Sequence, residues 1–420
     1  MLALHHMLSR RLPFFYGWVV LGCASCAGFA RQGPAVATLT IFVAPMTTEF
    51  GWSVSEISGA VSLGGVLAAF SSPLLGPLVD RHGARAMLCW AVLITGVAAL
   101  LLSQTQSLLV FYLLFCVARM NFAGPFDLGI YGAVNNWFIR RRPIANSIVT
   151  VALMVGLTAM PLIAHFAMIG GGWRAGWVAV GLTVLVVGFL PTFLLMARRP
   201  EDLGLQPDGD IDDAGTESNR SGAGKPEPTF TRAQAMRTPA FWMLLGFTFL
   251  GYPVQSGVSL HQAPHLIERG LDPTTAATVV AAFSLFTGVF GFLCGMMVRR
   301  LGIRLVLSVS GLFMTAGCLA MIWVHEPAQA YFAAAIFGVG LGGLLTVPPI
   351  AWADYFGRKS FGAIRGVALS VQVSAQATGP LISGVLRDWT GDYVLALQVF
   401  AGLSLLATIL ILLARPPKHA

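Results

Sequence analysis

Apolar runs of about 20 residues follow one another along this chain, parted by short polar or glycine-rich stretches, and a helix of that length crosses the hydrocarbon layer of a bilayer. Twelve such runs are legible, near 15–44, 54–78, 86–103, 108–136, 144–168, 173–196, 238–264, 274–298, 304–324, 329–353, 363–386 and 392–414. Most connections are short, so neighbouring helices must run antiparallel. The pattern predicts an all-α polytopic membrane protein. One polar stretch is long. Near 197–237 the apolar pattern collapses, and 208–225 reads as a flexible linker. The expected domains are therefore an N-terminal six-helix bundle at 14–196, a linker at 197–237 and a C-terminal six-helix bundle at 238–414.

An internal echo supports that division. Residues 33–85 recur without a gap 219 residues later. Gly76-Pro-Leu-Val-Asp80-Arg81-His-Gly83-Ala-Arg85 returns as Gly295-Met-Met-Val-Arg299-Arg300-Leu-Gly302-Ile-Arg304, and Pro34 maps to Pro253. Two copies of one membrane unit imply two bundles facing each other across a central pathway.

Composition narrows the class further. Hydrophobic residues make up 56% of the chain and charged ones 10%, against about a quarter charged in soluble domains. A net charge of +8 would suggest nucleic acid, but the placement of the charges excludes that partner. With the N-terminus inside, the inner segments and the span ends that adjoin them hold 21 of the 26 Lys and Arg, while Arg174, Arg269 and Arg387 alone fall in outer loops. That asymmetry places both termini in the cytoplasm. Arg10-Arg11 precedes an apolar run too long for a signal peptide, so the run reads as a retained first helix. All six cysteines lie inside predicted spans. Cys23-x-x-Cys26 has redox or metal spacing but reads as helix packing.

Glycine and proline interrupt several spans, at Gly33-Pro34, Gly124-Pro125, Gly156 with Pro161, Gly251-Tyr252-Pro253, Pro348-Pro349 and Gly379-Pro380. Broken backbone is tolerated at that depth only where protein or a water-filled cavity covers it. Equivalent breaks in the first and seventh spans point to a central site, whereas about half of the interruptions read as kinks for packing.

The segment carrying Gly76, Leu78, Asp80, Arg81, Gly83 and Arg85 lies between the second and third spans. It resembles the loop signature of the major facilitator superfamily. That resemblance implies a transporter of twelve helices in two pseudo-symmetric six-helix bundles, working by alternating access. The glycines permit a tight turn and close helix approach. Asp80 can face a helix N-terminus or an arginine, so Gly76, Asp80, Arg81, Gly83 and Arg85 together form a conformational latch. In the second copy Arg299 replaces the acid, which leaves that loop a topological role.

Further segments narrow the resemblance. They are Tyr16-Gly17-Trp18, Glu49 to Ser53, Asn136-Trp137-Phe138 with Arg140-Arg141-Arg142, Arg199 to Gly209, and Tyr355-Phe356-Gly357-Arg358 with Phe361-Gly362. Together they are similar to the bacterial branch related to monocarboxylate porters and oxalate/formate antiporters. This implies proton-linked or exchange transport of small carboxylates. Porters of that branch commonly carry an arginine in the eighth span, and here 274–297 holds no charge.

Arg31 and Arg119 lie near the midplane of their spans, where a cation costs roughly 2.5–3.5 kcal/mol. Each is a candidate for binding a substrate anion, because a guanidinium matches a carboxylate bidentately. The alternative is structural, with Arg119 pairing to a backbone carbonyl or to Asp127. On one continuous helix Asp127 would lie about 12 Å along and about 80° round from Arg119, which prevents direct pairing. Asp127 is therefore a proton carrier or a structural partner. His261 and His265 stand four apart at the outer end of the seventh span without a further metal ligand nearby. A histidine there is similar to that of the related porters, making His261 a candidate for substrate contact and proton coupling. His165 reads as a core histidine. Tyr131 and Tyr252 are cavity candidates, since a hydroxyl in a membrane needs a partner.

No P-loop, nucleophile elbow, dinucleotide motif or metal cluster is present in the sequence, so neither an ATP-driven pump nor an enzyme is expected, and no cofactor or metal. The expectation is a secondary transporter for a small organic anion, moved with a proton or by exchange against a counter-substrate. It would act as a monomer in the bilayer of a bacterial inner membrane. A transporter of a neutral or amphipathic solute, and a non-transporting sensor on the same fold, are the alternatives.

Overall fold

A computed structural model describes residues 2–209 and 228–417, and the regular elements among these residues are helices. A short α1 (Leu2–Arg11) precedes the first half. Its first span is α2 (Gly17–Ala30) with α3 (Val36–Phe50), its second α4 (Val54–His82) and its third α5 (Ala84–Leu102). The fourth is α6 (Leu108–Ala123) with α7 (Pro125–Trp137). The 42-residue α8 (Arg142–Thr183) supplies the fifth span and most of the sixth, reversing at Gly171 and at Gly172, whose φ is 67°. A π-helical turn, Val184–Phe189, and α9 (Leu190–Leu195) complete the sixth.

After α10 (Arg232–Met236) the second half is more regular. It comprises α11 (Pro239–Glu268), α12 (Pro273–Leu301), α13 (Ile303–Ile322), α14 (Pro327–Phe356), α15 (Phe361–Thr390) and α16 (Val394–Leu413). The result is the expected twelve-span architecture of two six-helix bundles.

Local chemistry sets the boundaries. Ser53 and Glu56 form a reciprocal cap that starts α4. Ser107 starts α6, Thr238 starts α11 and Asp272 starts α12, each side chain taking a first-turn N–H. Hydrogen bonds to Thr275 and neighbouring amides hold the Asp272 carboxyl below the usual range. Gly83 (φ 89°) and Gly302 (φ 80°) end α4 and α12 at equivalent points of the two copies, where a side chain would be strained. On the face away from the termini, Trp173 Nε1 and Arg174 donate to Glu49 at 2.6 and 3.0 Å, and the guanidinium holds that carboxyl below its usual range.

The duplication is visible in contacts as well as in sequence. Arg85 donates to the carbonyl of Phe193, and 219 residues on Arg304 donates to that of Leu412. Each loop arginine thus satisfies an orphan carbonyl near the end of its bundle's last helix.

Among the described residues, eight helical stretches are long and apolar enough to cross a membrane by composition alone. The first span misses because it is split, and α11 and α15 miss because they carry polar groups. Gln376 donates to Gln255 at 2.9 Å and Ser256 to the Gln376 carbonyl at 2.6 Å, so these two helices satisfy each other's polar atoms. They cross where a Cβ on Gly379 would stand 2.1 Å from the Pro253 carbonyl.

Three expectations need correction. The seventh span is one continuous helix through Pro253, so only the first of the two equivalent breaks is open. At 31–35 the chain makes a turn, closed by Thr38 donating to the Gln32 carbonyl at 2.8 Å. The fourth span, by contrast, is broken, with Gly124 at φ −117°, ψ −84°. Asp208, expected to open a flexible linker, is buried and accepts the amides of Ile139, Arg140 and Arg141 at 3.0, 2.7 and 3.1 Å. The rest of that linker, 210–225, lies outside the described residues.

Candidate functional site

The break at Gly124 creates the centre of the molecule. It ends α6 and lets Pro125 open α7, where a missing N–H costs nothing. Asp127 then falls in the first turn of α7, where the helix dipole favours a carboxylate. Two cations converge on it. Arg365 Nε on α15 donates to Asp127 Oδ1 at 3.2 Å, and Arg31 Nη1 lies 3.9 Å from Oδ2. Arg31, one residue past α2, also donates to the Phe122 carbonyl at 2.8 Å. Arg31 and Arg119 both pack on the Phe122 ring, at 4.6 and 4.3 Å from its centroid. The stem of Arg119 lies against Gly64 on α4, where a Cβ would stand 2.6 Å from the arginine's own Cβ.

Two guanidiniums therefore flank one carboxylate, and a third, that of Arg119, shares the Phe122 ring with Arg31. Arg119 Nε and Nη1 and Arg365 Nη1 are buried with no hydrogen-bond partner. Tyr131 on α7 and Tyr252 on α11 are buried within electrostatic reach of Asp127, Arg31 and Arg365, so the two bundles meet around this cluster.

The structure thus brings together Arg31, Arg119, Asp127, Tyr131 and Tyr252, and adds Arg365, which the sequence reading missed. A continuous helix would hold Arg119 and Asp127 apart. They remain unpaired, but because the helix breaks and Asp127 turns to Arg31 and Arg365. His261 is not brought to this cluster. Its ring lies 5.3 Å from that of Tyr393, and with His265 it lines a void of about 10 Å³ inside the second bundle. His265 is buried against the Met321 carbonyl at 2.9 Å. His165, expected in the core, is exposed on α8. Cys23 is buried against the Pro191 carbonyl at 3.3 Å, a packing contact.

Towards the face that carries the termini, the halves are joined. Asp80 accepts the Gly362 and Ala363 amides, each at 2.8 Å, at the start of α15. A Cβ on Gly76 would stand 2.2 Å from the Gly362 carbonyl. Gly83 ends the helix, Arg85 ties to Phe193, and Arg81 contributes its carbonyl to Arg198 at 2.8 Å. The symmetric seam joins α12 to α8, where a Cβ on Gly295 would stand 2.8 Å from the Pro143 carbonyl.

A polar network missed in the sequence reading reinforces both seams. Arg142, 2% exposed, donates to Asp354 at 2.8 Å and to the Asn135 carbonyl at 3.2 Å. Asn135 reaches the Pro349 carbonyl, and Arg358 binds the Asn136 carbonyl and Glu201. Among the described residues, hydrogen bonds and ion pairs between the halves run from the cluster to this face, as at Ser147, Thr346, Ser370 and Arg365.

The family model of the Major Facilitator Superfamily matches residues 20–263 and 258–420. The chain belongs to the major facilitator superfamily. As a member it is a secondary transporter rather than an enzyme. It is 24% identical to Monocarboxylate transporter 2 of Mesocricetus auratus over 402 residues, covering 90% of this chain and 79% of that protein. It is 26% identical to the Membrane sensor protein UhpC of Salmonella typhimurium over 382 residues, covering 87% and 85%. The superfamily's proton:xylose symporter XylE, bound to 6-bromo-6-deoxy-D-glucose, shares the fold with a TM-score of 0.74 at 13% identity, covering 94% of both chains.

Proposed function

We propose that this chain moves a small organic anion of the monocarboxylate type by alternating access, with Arg31, Arg119 and Arg365 as the anion site. The observation that carries this reading is the excess of buried guanidinium over carboxylate, with Arg119 and Arg365 nitrogens lacking acceptors. A buried donor left unpaired costs about 1–3 kcal/mol, and more when charged. A carboxylate entering the cluster would satisfy those donors, bidentately in the best geometry. The likeness to a relative named a monocarboxylate transporter agrees with this class.

Asp127 serves as the coupling group. It holds Arg31 and Arg365, the same cations that an anion would use. A proton on Asp127 releases them, so proton and anion each favour the other's binding, by the reciprocity of linked equilibria. The Lys and Arg distribution supports a cytoplasmic terminal face, and the present conformation is then the one with its inner gate closed. Monomeric action in a bacterial inner membrane completes the reading.

Counterflow in proteoliposomes tests it. Saturable exchange of 2-hydroxy or 2-oxo monocarboxylates, accelerated by an inward proton gradient, is expected. Exchange confined to neutral solutes would overturn the anion assignment. Binding without any exchange would mark a sensor instead.

A further inference from the structure

A second site lies outside the transport pathway, on the surface of the first bundle near the terminal face. His82, Arg85, Ala86, Cys89, Trp90, Leu93, Phe189, Phe193 and Arg198 line a groove of about 370 Å³. Its polar end holds two guanidiniums and an imidazole, and no carboxylate is among the lining residues. Its other end is aromatic and aliphatic. Trp90 is 64% exposed, and Phe189 stacks on Phe193 at 5.2 Å with 19° between their planes. Arg85 and Leu93 lie eight residues apart on α5, so the groove runs about 12 Å from the membrane boundary towards the midplane. The wall opposite α5 is built from Phe189, the last residue of the π-helical turn, and Phe193 on α9; such local widenings are often found at functional sites.

The duplicated half provides an internal comparison. The residues 219 positions on keep Arg304, yet Val309 replaces Trp90, Thr408 replaces Phe189 and Pro417 replaces Arg198. Leu301 stands where His82 does, and α16 runs as regular α-helix through the region matching the π turn. The fold alone therefore accounts for Arg85 but does not require Arg198, His82, the aromatics or the helix distortion.

We propose that this groove holds one anionic phospholipid from the leaflet on the terminal side. Its phosphate would sit at Arg85, Arg198 and His82, and an acyl chain would lie along Trp90, Leu93, Phe189 and Phe193. Charge complementarity selects the headgroup, since basic pockets between membrane helices attract anionic lipid. The continuous apolar floor beneath the cations selects a lipid over a free anion.

Native mass spectrometry of the intact protein tests this with phosphatidylglycerol and phosphatidylcholine of identical chains. The wild-type protein should retain phosphatidylglycerol over phosphatidylcholine by at least about fivefold, the worth of one basic contact at a membrane surface. Raising the salt should shrink that ratio. Arg198→Gln should lower phosphatidylglycerol retention by about the same factor while leaving phosphatidylcholine alone. Trp90→Ala should weaken both lipids. Equal retention of the two lipids by the wild-type protein, a result that involves no variant, overturns the proposal. So does a Trp90→Ala protein that keeps full phosphatidylglycerol retention while inorganic phosphate displaces the lipid, which would mark a site for free phosphate.

Discussion

At the scale of single residues, the cluster around Asp127 decides what can bind. Removing one cation should reduce the pull on an anion without unfolding the chain, because Arg31 is partly exposed and Asp127 keeps Arg365. Arg31→Ala is expected to insert normally and to raise the KM for a carboxylate tenfold or more, about 1.4 kcal/mol of lost anion contact at the low end for charge-assisted bonds. Unchanged affinity in a correctly folded Arg31→Ala protein would remove it from the site. Asp127→Asn separates coupling from binding. The amide cannot carry the proton, so uptake should lose its pH dependence while equilibrium exchange of the anion persists. An unaltered pH profile in that variant excludes Asp127 as the coupling group. Arg365→Gln should instead be costly to stability, since breaking one partner of a buried pair costs roughly 3–5 kcal/mol. Arg31, Arg119 and Asp127 were legible because each is a charge inside an apolar run. Arg365 was not, because it stands five residues into its helix and looks like one more basic residue of the inner face. Its pairing with Asp127 spans 238 residues, a distance that no local pattern records.

At the scale of elements, the sequence showed where helices had to be and was weaker on where they break. Gly33-Pro34 and Gly251-Tyr252-Pro253 look alike in a sequence, yet one is a turn and the other a continuous helix. The difference is tertiary. Ser256 donates its single hydroxyl proton to the Gln376 carbonyl at 2.6 Å, with the Tyr252 and Pro253 carbonyls at 3.1 and 3.2 Å from the same oxygen, so α15 braces the region around Pro253 without unwinding. Close packing at glycine was the more reliable signal. Gly76 and Gly295 sit at matched positions of the two seams, but they differ in what a side chain would meet. At Gly76 it is the Gly362 backbone at 2.2 and 2.8 Å, which cannot rotate away. At Gly295 the nearest atom is the Ser147 hydroxyl, which can, leaving the Pro143 carbonyl at 2.8 Å. Gly76→Val is therefore expected to force the α4–α15 seam open, and Gly295→Val to disturb its seam less. Alkylation of single cysteines placed at the cluster, with reagent supplied from the terminal face, reads the difference. Equal reactivity of both variants and the parent would show that these seams do not gate access.

At the scale of the whole molecule, the two copies close one face by unequal chemistry. In the first seam Asp80 receives two amides at the start of α15. In the second seam the residue matching Gly362 is Pro143, which has no N–H to donate, and Arg299 stands where the acid would be. Loss of the acid and loss of one of its two donors thus go together, and of the two matched positions Asp80 carries the charged latch. Breaking it should bias the entire two-state equilibrium rather than one helix contact. Asp80→Asn keeps one acceptor oxygen but turns an amide group towards the second N–H. The loss of a charge-assisted hydrogen bond is worth about 1.5–3 kcal/mol, a shift of roughly 10- to 150-fold towards the state open on the terminal face. Two readouts should move together. Amide exchange at Gly362 and Ala363 should accelerate, and labels on the terminal ends of α4 and α15 should move apart. A saturating carboxylate substrate should leave that shift in place, because it binds at the arginine cluster and does not restore the acceptor at Asp80. If exchange accelerates while the label distance stays fixed, Asp80 caps α15 without governing the gate, and closure must rest on the Arg142–Asp354 network between α8 and α14.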